Sequence, residues 1–193
     1  MRARVGPCPC CTGQGEAIVS RRGLFGVAAG LACVAAGGAG AQILGGGPRS
    51  LSIQRMQTGE SFTGAYWRDG RYDRAALQQL DWVFRDPSME EATPMDPRLF
   101  DMLATVARQM DANEGYQVIS GYRAPETNEA RARQSRRVSK DSLHMSGMAA
   151  DVRLPGRDSM GMARLAAEMQ VGGVGLYRPD GFVHLDCGPA RRW

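Results

Sequence analysis

The sequence predicts an α+β domain with helices packed on a mainly antiparallel sheet. Short apolar runs of strand length recur between residues 51 and 186, and segments with apolar residues at helical spacing stand between them. Aspartate, proline and glycine punctuate most of the boundaries, where caps and turns need them.

The first element is a β-hairpin. "LSIQRMQTGESFTGAYW" alternates on either side of Thr58-Gly59-Glu60, after a Gly/Pro linker at residues 42–50 that leaves the domain starting at 51. "DRAALQQLDWVFRD" then carries Ala76, Leu77, Leu80, Val83 and Phe84 at helical spacing behind Asp73, a good N-cap, and Asp86-Pro87 stops it. A second helix starts at Asp96-Pro97, with proline in its first turn, and runs through "RLFDMLATVARQM". Farther on, "YQVIS", "MAADVRL", "GGVGLY" and "FVHLD" have the length and apolar content of strands. "PETNEARARQSRR" and "DSMGMARLAAEMQ" supply helices between them. Met160, Met162 and Met169 are expected to fill core, as are Tyr66, Trp67 and Trp82, and "RARQSRR" is expected to be a solvated helix face.

Residues 1–41 have the pattern of an export signal. Arg21-Arg22 precede an apolar, Ala/Gly-rich run that ends in Ala39-Gly40-Ala41, which suits cleavage after Ala41. Ser20-Arg21-Arg22 ahead of Leu24-Phe25 points to the twin-arginine route, with an ordinary Sec signal as the alternative. The run is too short and glycine-rich to span a membrane comfortably, so no stable span is expected after cleavage. The formal net charge is +4, but beyond residue 41 there remain 20 basic and 19 acidic residues, so nucleic acid is not indicated as a partner. Cys8, Cys10, Cys11 and Cys33 all fall in the leader. Cys187 is therefore the one thiol of the mature chain, where it cannot form an internal disulfide.

The chain has two histidines, and each stands near a carboxylate. In "DSLHMSGMAADVRLPG" His144 and Asp151 flank a small-residue stretch in which Gly147 permits a tight reversal. In "FVHLD" His184 and Asp186 are two apart and so share one face of a strand, with Val183 and Leu185 on the other. Two imidazoles and a carboxylate with a position left for water suit catalytic zinc. Spacing alone leaves open an ordinary turn and a strand with polar residues.

"SLHMSGMAAD", "SGYRAPETN" and "GGVGLYRPDGFVHLDCGPARRW" together resemble the MepK-like murein endopeptidases, relatives of the zinc D-alanyl-D-alanine carboxypeptidases. The resemblance extends over most of the chain beyond the leader. It implies the Hedgehog/D,D-peptidase type of fold, with His144, Asp151 and His184 as ligands of a Zn2+ ion in a zinc peptidase domain spanning 51–193. It also implies a hydrolase that cuts peptide cross-links between peptidoglycan stem peptides; with the export signal, the expectation is a periplasmic enzyme, and a monomer is expected. The alternatives are a D,D- or L,D-carboxypeptidase and a non-catalytic wall-binding protein.

By the same likeness Arg123 stabilises the oxyanion, and Ser142 and Tyr122 contact substrate, although Ser142 can also serve only as a loop cap. Many of the carboxypeptidase relatives place an acid three residues before the second histidine, where this chain has Gly181. Asp186 is the first choice for general base, with a supporting role behind a ligand as its alternative, and Asp180 is the second choice. Cys187 alternates away from that face and is expected to pack.

Overall fold

Alternation from Arg49 onward produces the opening hairpin in a computed structural model that describes residues 47–136 and 138–193. The export signal expected at 1–41, and residues 42–46 of the expected linker, lie outside the described residues. β1 (Arg49–Arg55) pairs antiparallel with β2 (Ser61–Arg68), and Leu51, Ile53 and Arg55 point into the protein. β1 takes in Arg49 and Ser50, two positions assigned to the linker from sequence. Arg49 is anchored there by its bond to Asp101 (2.8 Å) and by its guanidinium over the Trp67 ring.

The helices begin where their caps require. Asp73 accepts from the amides of Ala75 and Ala76 at the start of α1 (Arg74–Val83). Asp96 caps α2 (Pro97–Gln109), and Asp158 caps α4 (Ser159–Glu168). α3 (Pro125–Gln134) has proline in its first turn and stops at extended Ser135, short of the expected end at 137. The remaining strands are β3 (Arg71–Tyr72), β4 (Tyr116–Ser120), β5 (Ala149–Arg153), β6 (Gly173–Tyr177), β7 (Phe182–Asp186) and β8 (Arg191–Arg192).

All eight lie in one sheet, in the order β3-β2-β1-β4-β5-β7-β6-β8. Five of its seven pairings are antiparallel, so the expected class holds: an α+β fold on a mainly antiparallel sheet. The core forms where α1, α2 and α4 cover the sheet, with Leu80, Leu99, Phe100, Leu103, Val183 and Leu185 fully buried. Trp82 departs from expectation. It is 47% exposed, with the Arg85 guanidinium 4.2 Å over its ring. Among the described residues no helix is long and apolar enough to cross a membrane.

The segment after α1 fixes the turn that carries Arg123. The Phe84 carbonyl accepts from the Tyr122 amide (2.7 Å), and buried Asp86 accepts from the amides of Ala124 (2.9 Å) and Ser88 (2.8 Å). Burial raises the Asp86 pKa, but the Thr127 hydroxyl and these backbone donors outweigh it, and the net shift is downward. Asp86→Ala strands a buried N–H and is expected to lower stability by about 1–3 kcal/mol. Because the folded-state pKa is depressed, the wild-type contribution is complete above about pH 4, the usual carboxylate range. It is lost as pH falls through the folded value. Melting curves from pH 7 down to 3 check this: the gap between wild type and Asp86→Ala should narrow on acidification.

Candidate metal centre

Three local devices bring the two histidines and one aspartate together. After β4 the chain passes through Gly121 and Arg123, whose amide donates to the His144 carbonyl (3.2 Å). His144 lies in a single 3-10 turn, Leu143–Ser146, capped by Ser142, which accepts from the His144 amide (3.4 Å). Gly147 closes that turn at φ +67, and a Cβ there would sit 2.7 Å from the Pro94 carbonyl oxygen, so glycine makes the reversal into β5. Asp151 of β5 then stands opposite His184 of β7 in the antiparallel register. Strand alternation sends Val183 and Leu185 to the core and leaves His184 on the cavity side.

The geometry of the three side chains is specific. His144 Nδ1 is 2.7 Å from the Gly121 carbonyl oxygen, which can only accept, so Nδ1 carries the proton. His184 Nε2 is 3.0 Å from the Asp186 carboxylate, and a metal at Nδ1 requires the tautomer in which Nε2–H donates to it. In that tautomer the other nitrogens, His144 Nε2 and His184 Nδ1, turn lone pairs toward each other at 3.3 Å. Asp151 Oδ1 lies 2.9 Å from His184 Nδ1 and 3.4 Å from His144 Nε2. Three acceptors thus face one point. A proton can bridge one such pair, whereas a cation at the common point satisfies all three. A tetrahedral zinc with bonds near 2.0–2.1 Å holds its ligands roughly 3.3 Å apart, so the donor set fits this ion. No other cluster of three metal-ligating side chains occurs among the described residues.

The electrostatics favour ligation at Asp151 and His144, whereas at His184 a cation has to displace a proton. Burial raises the Asp151 pKa, but the two imidazoles overcome it and hold the carboxylate ionised. Burial pulls the His144 pKa down, which keeps its imidazole neutral and able to ligate. His184 also feels burial as a downward influence. Its bonds to Asp151 and Asp186 prevail and raise its pKa.

Asp186 does not occupy the open side. It is fully buried behind His184, where Arg191 (2.7 Å) and the amides of Gly173 (3.1 Å) and Gly188 (2.8 Å) also hold its oxygens. Burial raises its pKa, and the bond from His184 with the Gly188 and Gly173 amides brings it to about 2. Such a carboxylate orients the imidazole and is poorly placed to take a proton from water, so this geometry does not support the base role expected of Asp186. Gly181 sits at φ +67 in the turn between β6 and β7, a left-handed backbone that glycine adopts freely.

Other expected residues divide. Arg123 is buried beside the cluster. Its guanidinium donates to Asn128 Oδ1 (3.0 Å) and Ser120 Oγ (3.2 Å) and lies 3.7 Å from Asp151 Oδ2, while its Nε has no partner among the described residues. Ser142 lines the cavity as well as capping the turn. Tyr122 is turned elsewhere, its hydroxyl donating to Glu91 (2.9 Å). Cys187 packs in the core, where burial pushes its thiol up to about 12.

The cluster forms the floor of a cavity of about 770 Å³, the size of a small-ligand or peptide site. Sequence reasoning missed several of its walls. Arg131 lines it, although it belongs to the run expected to be solvated. Tyr177, Phe182, Arg191 and Trp193 line it too. The tail "GPARRW" was the available signal for the last two, because arginine and tryptophan so close to a histidine-bearing strand have chemistry to contribute.

A two-histidine, one-carboxylate cluster on the floor of an open cavity defines the class, a hydrolase-type site on an α+β scaffold. The particular family follows from comparison with known proteins. A family model described as peptidoglycan L,D-endopeptidase MepK matches residues 44–193, and the chain belongs to that family. It is 38% identical over 147 residues to the peptidoglycan L,D-endopeptidase MepK of Escherichia coli K12, covering 76% of this chain and 80% of that one. The same figures hold for the peptidoglycan L,D-endopeptidase MepK of Shigella flexneri. No solved structure gives a significant match.

Proposed function

We propose that this chain is a zinc-dependent peptidoglycan L,D-endopeptidase that acts in the periplasm on peptide cross-links between stem peptides. The observation that carries this reading is the convergence of His144 Nε2, His184 Nδ1 and Asp151 Oδ1, three potential ligand atoms 2.9–3.4 Å from one another. Zinc bound there supplies Lewis acidity and a water whose pKa is lowered to about 7. The family membership and the names of the relatives supply the substrate class.

The chain's own residues provide the rest. The Gly121 carbonyl and Asp186 fix the tautomer and angle of each imidazole. Arg123, held by Asn128 and Ser120, presents a fixed cation beside Asp151, where an oxyanion develops in peptide hydrolysis. Burial and the like charge of Arg131 lower the Arg123 pKa, while Asp151 raises it and keeps the guanidinium charged. Proton acceptance falls to a carboxylate that faces the cavity. Outside the ligand set, Asp141 and Asp180 are the two that line it among the described residues. Arg123, Arg131 and Arg191 give the walls a cationic character suited to stem peptides, which carry free carboxylates.

The test is a digest of purified muropeptide dimers, linked through either L,D or D,D bonds, with the products separated by chromatography. Conversion of L,D-linked dimers to monomers, abolished by a chelator and restored by zinc, is the expected result. Dimers left intact by zinc-loaded protein would refute the endopeptidase reading. Release of D-alanine from monomers would replace it with a carboxypeptidase.

A further inference from the structure

We propose that Trp193, directly after β8, is a positioning residue of the metal centre, where its indole rests against His184 through a gap that Gly175 leaves open. β8 pairs in parallel with β6, and β6 pairs antiparallel with β7, which puts Gly175 directly opposite His184. The Trp193 ring lies 5.2 Å from the His184 ring, tilted by 47°. A Cβ on residue 175 would sit 2.6 Å from the indole Cε2 and 2.7 Å from both Cζ2 and Nε1. Glycine is therefore required for the indole to lie flat across β6 and reach the histidine. Any larger residue would push it away.

The same tail reaches His184 by a second route. Arg191 holds Asp186 at 2.7 Å and lies 5.2 Å from the centroid of the Trp193 ring, and Asp186 in turn takes the His184 Nε2 proton. Ring packing on one side and a hydrogen bond on the other leave the imidazole little freedom to rotate away from Asp151. The indole N–H donates to the Tyr177 hydroxyl (3.4 Å), and Tyr177 stacks on Phe182 at 4.6 Å. An aromatic wall thus continues from the centre along the cavity.

The strand does not depend on the indole for its place. The Trp193 amide donates to the Val174 carbonyl and the Leu176 amide to the Trp193 carbonyl, both at 3.1 Å. Trp193 is also 54% exposed, which makes a purely core-filling role a poor explanation of its packing. Its side chain can therefore be changed without releasing β8.

The inference rests on the metal-centre reading, and a double-mutant cycle on the full chain separates the two. Zinc affinity is measured by chelator competition, and the cobalt-substituted centre is followed by its visible spectrum. Trp193→Ala and Gly175→Ala are each expected to weaken zinc binding about tenfold to a hundredfold and to alter the cobalt spectrum. The double variant should be no weaker than Trp193→Ala alone, because the added methyl then has no indole to displace. Trp193→Phe should recover most of the affinity. Unchanged affinity and spectrum in Trp193→Ala would overturn the inference, and so would fully additive losses. If wild-type protein takes up neither metal, the metal-centre reading itself falls.

Discussion

His184→Ala is expected to lower cross-link cleavage by at least about 10³-fold, the loss that accompanies removal of some 4 kcal/mol of metal-supplied transition-state stabilisation. The imidazole is one of three donors and the one that Asp186 holds in place. Without it the other two donors, His144 and Asp151, leave an incomplete ligand set. The fold should survive. Val183 and Leu185 keep β7 in the core, and Asp186 retains Arg191 and two backbone amides. Equal melting temperatures with lost turnover would therefore place the defect in the centre. The same variant separates an enzyme from a wall-binding protein, because a binder would keep its affinity for sacculi.

Arg123→Lys is expected to reduce kcat by about 10²–10³-fold, the range for losing one preorganised donor at an oxyanion, while zinc stays bound. Lysine retains the charge but not the planar fork that spans Asn128, Ser120 and the edge of Asp151. The decisive readout is single-turnover cleavage with metal content measured on the same samples. A fall in kcat with KM and zinc content nearly constant assigns Arg123 to the transition state. A variant that merely loses zinc assigns it to holding Asp151.

Much of this architecture is legible in the chain because local rules and the global fold agree. Asp73, Asp96 and Asp158 cap the helices that their positions predict, and Val183 and Leu185 alternate with His184 and Asp186 as strand geometry requires. The convergence of His144, Asp151 and His184 was readable because both histidines lie where backbone geometry, a glycine reversal and a strand, dictates direction.

The misses have physical causes. β3 and β8 are two residues long, too short for any periodicity to show. Alternation correctly placed Asp186 on the His184 face. It does not say which imidazole nitrogen the carboxylate meets, and that distinguishes a base from an orienting group. Tyr122 neighbours Arg123 in sequence, yet Asp86 and Phe84 grip that turn so that only the arginine reaches the cluster. Arg131 belongs to a polar helix whose inward-facing side no hydrophobic pattern marks. The contribution of Trp193 depends on an empty space at Gly175, and an absent side chain leaves little signal in a sequence.

The most direct test of the central claim is metal stoichiometry by elemental analysis, on wild-type protein and on the separate His144→Ala, Asp151→Asn and His184→Ala variants. The three-donor centre predicts one zinc per wild-type chain and well under one in each variant, with all four proteins folded. Folded wild-type protein without zinc, or variants that retain a full equivalent, would contradict it.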